Sequence, residues 1–282
     1  MLYNNLFEKI RLIYEESPKQ QKLIASELLN NFEQSVLLNA KELSERIGVS
    51  SATVIGFAQN LGYDGYPALA RDLRKLYFQE NSPMVKLMES FEGPSDRFKT
   101  FQQVLELDQE NIRLLGKKTT GTSMNEAVEI LLSSGQVVIS GARTSYSLVH
   151  YSGFLFRQLD NKFDFLNSSS DDAIDRLGLL GENDCLFAIT FHRYAKRTQD
   201  LVKYCSKRKV KVVSLTDTSQ SPVIPYSKVS LLAKNNAPFY SYVPAMVILN
   251  SLIAAYAKEL KKSAKDIFEK KTKDLLDNDV YV

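Results

Sequence analysis

The chain has two cysteines, Cys185 and Cys205, and two histidines, His150 and His192. Two thiols cannot form a disulfide scaffold or a four-thiolate zinc site, and both sit in apolar or helical contexts, which points to a reducing cytoplasm. Two histidines exclude a His-rich metal centre. No Ser-His-Asp, Cys-His or paired-carboxylate set assembles around them, so no catalytic residue, metal ligand or cofactor is assigned. Twelve glycines and eight prolines among 282 residues are too few for a low-complexity or collagen-like chain. An excess of one charge is also missing. The 36 Lys+Arg stand against 33 Asp+Glu, a formal net of +3, which excludes a histone-like polycation and an acidic disordered tail. The most apolar stretch near the C-terminus, residues 243–257, is shorter than the roughly 20 residues a membrane span requires and reads as a buried helix. The first residues lack the basic region and apolar core of a signal peptide. A cytoplasmic protein with no membrane partner is expected.

What is present is ordinary globular composition, 44% hydrophobic and 24% charged, and a length that suggests about two domains. Residues 1–80 carry helical periodicity: Ile10, Ile13 and Tyr14 form one stripe, and Leu23, Ile24, Leu28 and Leu29 another. Ser17 is the expected N-cap of the second helix and Pro18 its first residue. Further helices are expected over 40–47, 50–61 and 66–78. Turn chemistry at 81–83 and 93–96 marks a linker, followed by a helix over about 96–115. From 121 onward, apolar runs at 136–140, 163–166, 185–190, 211–216 and 229–233 alternate with helical patterns at 125–132, 148–159, 198–207 and 245–262. Short apolar strands between helices mean a parallel sheet covered on both faces. The charged tail, 261–279, reads as a partly exposed helix. The expected organisation is an all-α domain over 1–80, a linker and connecting helix over 81–120, and an α/β domain over 121–282.

In the first domain, Leu43 and Ile47 face one side of a short helix and Gly48 supplies a tight turn. Val49 packs between helices. Ser50 caps the next helix, Val54, Phe57 and Leu61 form its buried stripe, and Gly62 closes it. This is the layout of a helix-turn-helix, whose second helix enters a DNA major groove; the alternative is a helical hairpin that only packs. Small residues Ser51, Ala52 and Thr53 would allow close approach to the duplex. Residues 50–62 contain no Lys, Arg, Asp or Glu, and residues 1–80 carry nine basic against ten acidic residues, a net of −1. Base readout therefore falls to Ser50, Ser51, Thr53, Gln59 and Asn60. Lys41, Arg46, Arg71, Arg74 and Lys75 remain for the phosphates.

In the second domain, the run at 136–140 leads into Gly141, Ala142, Arg143, Thr144 and Ser145 and then a helix. A strand entering a hydroxyl-rich turn at a helix start is an anion site by construction. The later glycines of a dinucleotide fingerprint are missing, as is a Walker A loop. The run ending at Thr190 leads into Arg193, Tyr194, Lys196 and Thr198 on the same plan, and Arg193 would hold a phosphate bidentately. A solvated basic loop is the alternative. Residues 216–222 read as turn chemistry, and a lone His192 as structural.

Taken together, ELSERIGVSSATVIGFAQNLGYDGY, ISGARTSYSLV, GENDCLFAITFHRYAKRT and VVSLTDTSQSPV resemble the RpiR/MurR family of bacterial transcriptional regulators over about residues 1–260. The resemblance implies a multidomain chain, an all-α helix-turn-helix domain followed by an α/β three-layer SIS domain with a central parallel sheet. It implies a dimer or tetramer that binds operator DNA, with a phosphorylated sugar as effector. Gly56, Gln59 and Asn60 stand where family recognition helices usually carry basic residues, and Arg143 stands where a second glycine is usual. The alternatives are a sugar-phosphate isomerase and a ligand-sensing or oligomerisation protein that has lost DNA binding.

Overall fold

A computed structural model describes residues 2–80, 96–118, 121–235, 241–260 and 278. The linker turns at 81–83 and 93–95 and most of the tail at 261–279 lie outside the described residues. The chain divides into two compact units, Met1–Gly93 and Pro94–Val282.

The first unit is helical: α1 (Leu2–Glu16), α2 (Lys19–Asn30), α3 (Phe32–Ser35), α4 (Ala40–Ile47), α5 (Ser51–Asn60) and α6 (Tyr66–Glu80). Its core gathers one apolar stripe from each long helix, including Ile10, Ile24, Leu28, Leu43, Val54, Phe57, Leu69 and Leu73, all fully buried. Asn39 starts α4 with a reciprocal capping box to Glu42, which satisfies two otherwise orphaned amides. At α2 the start differs from expectation. Pro18 (φ −56°, ψ 154°) is itself the N-cap and Ser17 makes no cap, because the extended ψ that Pro18 adopts cannot belong to the first helical residue.

The second unit carries five parallel strands, β1 (Val137–Gly141), β2 (Phe163–Asn167), β3 (Cys185–Ile189), β4 (Lys211–Thr216) and β5 (Val229–Leu232), in the order β2-β1-β3-β4-β5. Along β1 and β3, alternate residues feed different layers. Val137, Ile139, Cys185, Phe187 and Ile189 meet the helices α7 (Arg97–Lys118), α8 (Gly121–Ser133), α9 (Ser145–Leu159) and α12 (Val243–Leu260). Val138, Leu186 and Ala188 meet α10 (Ala173–Gly178) and α11 (Lys196–Lys207). This is a three-layer α/β/α fold around a parallel sheet, as both faces of these strands require. The short α10 and a 3-10 turn at Ile224–Tyr226 carry no periodic signal in the sequence.

The apolar segment 243–257 lies within α12, an 18-residue helix long and apolar enough to cross a membrane. It packs against α7, α8 and α9, with Ala245, Ile248, Leu249, Leu252 and Tyr256 buried. Both cysteines are buried and free, and burial pushes each thiol up to about 12.

Candidate functional site

In the sheet, the chain runs from β1 outward to β2 and then crosses to β3 on the other side of β1. The carboxyl ends of β1 and β3 are therefore the topological switch point, where open α/β sheets leave a crevice for ligands. Both loops singled out from the sequence emerge there. Gly141 closes β1 so tightly against β3 that a Cβ on it would lie 2.5 Å from the Ile189 carbonyl oxygen, so no other residue fits without parting the strands. The chain then turns through exposed Arg143, held at φ 56°, and exposed Thr144, and enters α9 at Ser145, which is buried. The Tyr242 hydroxyl, just ahead of α12, donates to Thr144 Oγ1 at 2.8 Å.

The β3 loop is ordered by a residue that sequence reasoning left as turn chemistry. Asp217, after β4, accepts the His192 amide on Oδ2 at 3.1 Å and the Tyr194 phenol on Oδ1 at 2.8 Å. Thr190 is buried, with its amide donating to the Leu215 carbonyl. Arg193 is exposed. Lys196 is turned along its own helix to Asp200 at 2.7 Å. Thr198, in the first turn of α11, is only 1% exposed, and its hydroxyl has no hydrogen-bond partner among the described residues. Ser221, in the β4 loop, has a second buried hydroxyl with no partner among the described residues. A cavity of about 330 Å³ opens beside Asp217, lined also by Thr218, Gln220, Leu232 and Lys234. The β2 end adds Ser168, whose hydroxyl meets that of Ser140 at 2.8 Å.

In the helical unit, Gly48 (φ 77°) makes the turn between α4 and α5, a conformation that costs a Cβ-bearing residue energy. Ser50 caps α5 by accepting the Thr53 amide at 3.1 Å. At the other end Leu61 is the cap residue and Gly62 (φ 88°) lies one step beyond. Of the candidate DNA contacts, Lys41, Ser50, Gln59 and Asn60 are exposed, and Ser51 and Thr53 are half-buried. Several already have partners. Ser51 meets Ser44 at 3.0 Å, Thr53 meets Ser50 and Gln20, Asn60 donates to Gln21, and Lys41 lies 3.9 Å from Glu45. The Gln59 carboxamide makes no hydrogen bond among the described residues.

Two of the cations read as phosphate contacts brace the unit from within. Arg46 pairs with Glu27 at 2.6 Å and also donates to Gln34. Arg74 donates to the carbonyls of Val36, Leu37 and Leu38. Burial alone would raise the Glu27 carboxyl, but the hydrogen bonds from Arg46, Asn31 and Ser35 outweigh it and hold that group below its ordinary range. Arg71 and Lys75 stay exposed on α6. Ile55, 40% exposed, was not among the sequence candidates. The signal for it was its place off the Val54, Phe57 and Leu61 stripe.

Residues 4–80 match the helix-turn-helix domain of the rpiR family, and residues 130–255 match the SIS domain. The chain is 22% identical over 242 residues to an HTH-type transcriptional regulator of Haemophilus influenzae, covering 82% of this chain and 80% of the relative. Its fold is similar to that of NanR from Vibrio vulnificus, solved in complex with ManNAc-6P, with a TM-score of 0.68 at 17% identity over 96% of this chain and 98% of that one. It is also similar to the sugar isomerase domain of an RpiR transcription factor from Sphaerobacter thermophilus, with a TM-score of 0.58 at 22% identity over 61% of this chain and 97% of that one.

Proposed function

The chain belongs to the RpiR-type transcriptional regulators, an rpiR-family helix-turn-helix domain joined to a SIS domain, and from that premise we propose that a phosphosugar bound at the β1–β3 crevice controls its binding to operator DNA. The observation that carries the effector reading is Thr198. A hydroxyl buried without a partner costs about 1–3 kcal/mol, and this one sits at the start of α11, where helix amides and their dipole favour an anion. A phosphate accepting from Thr198 and from the amides that open α9 and α11 would remove that cost. Thr144, Ser145 and Arg193 supply the further donors, and Arg193 offers a bidentate, charge-assisted pair. That NanR was solved with ManNAc-6P supports the same ligand class for this chain.

The site binds its ligand without turning it over. A sugar-phosphate isomerase needs a poised acid or base. Asp217 is the carboxylate beside the crevice, and both its oxygens are engaged by the loop it orders. The regulator acts in the cytoplasm as a homo-oligomer. Support for assembly comes from α7, whose outward face carries Phe98, Phe101, Leu105 and Ile112, exposed by 67%, 60%, 46% and 41%.

The test is calorimetric titration of the full chain with hexose, pentose and amino-sugar phosphates beside their unphosphorylated sugars. Binding of one or more phosphates and none of the neutral sugars is the expected result. A folded protein that binds no member of the panel would refute the effector reading.

A further inference from the structure

The outward face of α5 is apolar where a reader of mixed sequence would be charged. Ala52, Ile55 and Gln59 share it at helical spacing and are all exposed, and Ile55 leaves 40% of its surface uncovered. The neighbouring polar groups are drawn aside. Thr53 and Asn60 turn to Gln20 and Gln21 on α2, and Ser51 turns to Ser44 on α4. Gly56 faces the same side, with Gln21 3.9 Å from where its Cβ would be. What remains for a base edge is two alkyl groups and one carboxamide.

Each base pair presents a distinct pattern in the major groove. Guanine is read most strongly by Arg or Lys at O6 and N7, and cytosine by Asp or Glu at N4. Residues 51–60 contain none of these four types. Thymine alone offers a methyl group to an alkyl side chain, and adenine N6 and N7 suit the two ends of a carboxamide. We infer that α5 selects A·T base pairs, with Ile55 and Ala52 packing on thymine methyls and Gln59 reading adenine at the centre of each half-site. Ile55 is a specificity-determining residue in this assignment, although it has no polar atom. Packing Ile55 on a thymine methyl would remove apolar surface of both from water, which is favourable.

This assignment rests on the helical unit being a DNA-binding domain, and the experiment separates the two. The full chain is used to select duplexes from a randomised library. Thymines in the enriched half-site are then replaced by deoxyuridine, which removes only the C5 methyl. Enriched A·T steps are expected. Each contacted methyl should be worth about a four-fold change in affinity, the value of one buried carbon. Ile55→Ala should lose affinity on uracil substitution by about four-fold less than the wild-type chain does, the Ala52 contact remaining, and because the side chain is exposed the variant should fold. Gln59→Ala should lose at least about five-fold in discrimination between adenine and guanine. Enriched G·C steps, or indifference of the wild-type chain to uracil, would overturn the assignment while leaving the regulator intact. No enrichment of any duplex would overturn both.

Discussion

The Tyr194 phenol donates to Asp217 Oδ1 at 2.8 Å across a gap of 23 residues. The other oxygen of the same carboxylate takes the His192 amide, so one side chain after β4 holds the loop after β3 at two points. Arg193 lies between those points, and its direction depends on both. Tyr194→Phe should therefore weaken phosphosugar binding by about 0.5–1.5 kcal/mol, the net worth of one such bond. Asp217→Ala should weaken it further, since both contacts go. The two effects should overlap in a double-mutant cycle, with a coupling energy of about 0.5 kcal/mol or more. Strict additivity in calorimetric titrations would show that the contact does not order the site.

Thr198 gives a prediction with two opposite signs. Thr198→Val keeps the shape and removes the unpaired buried hydroxyl. The ligand-free protein should become more stable, by about 1 kcal/mol or more. The same variant should bind phosphosugar more weakly by about 1.5–3 kcal/mol, the worth of a hydrogen bond to a charged group. Thermal unfolding with and without ligand reads both signs in one experiment. A structural threonine would move the two in the same direction.

Local signals made much of this legible in advance. The three inner strands β1, β3 and β4 are short, apolar and buried on both faces, and β4 begins and ends where its apolar run does. Helix α4 is bounded by Asn39 and Gly48, each at a position only a few residue types serve. The failures are non-local. Arg46 and Arg74 look like phosphate contacts until folding brings them to Glu27 and to the 36–38 carbonyls. Asp217 is indistinguishable from turn chemistry until β4 is paired beside β3. Helix α10 has six residues, too few for a periodicity to register. The site loops were recognisable because a strand end, a hydroxyl cluster and a helix start are contiguous in sequence. The order of donors within them depends on contacts from β4 and from Tyr242.

The helical unit should lose stability in acid through Glu27. Its carboxyl lies below the ordinary value in the folded state. The contribution of its bonds is therefore complete above the unfolded value of about 4.3 and disappears as pH falls through the lower folded value. Wild type should exceed Glu27→Gln in unfolding free energy near neutral pH, and the gap should close as pH drops below about 4. Urea unfolding of both proteins followed by helical circular dichroism between pH 3 and 7 provides the comparison. A gap that widened on acidification would contradict the assigned sign.

Two glycines, changed to the same residue, should respond in opposite directions. At Gly56, inside α5, φ is ordinary and the nearest atom to a new Cβ is 3.9 Å away, which is plain contact. Alanine there removes backbone freedom from the unfolded chain at no cost to the fold, and should stabilise by about 0.5–1 kcal/mol. At Gly141 the new Cβ would meet the Ile189 carbonyl at 2.5 Å and Val149 Cγ2 at 3.0 Å. The first of these is backbone in the paired strand, so no rotamer change relieves it, and β1 must move from β3. Gly141→Ala should cost about 1–3 kcal/mol or more as overpacking. Because the displacement occurs at the switch point, it should also abolish phosphosugar binding in the molecules that still fold. Denaturant midpoints give the two signs, and titration of folded Gly141→Ala gives the third outcome. Retained affinity there would mean that the ligand does not depend on the closeness of the β1 and β3 ends.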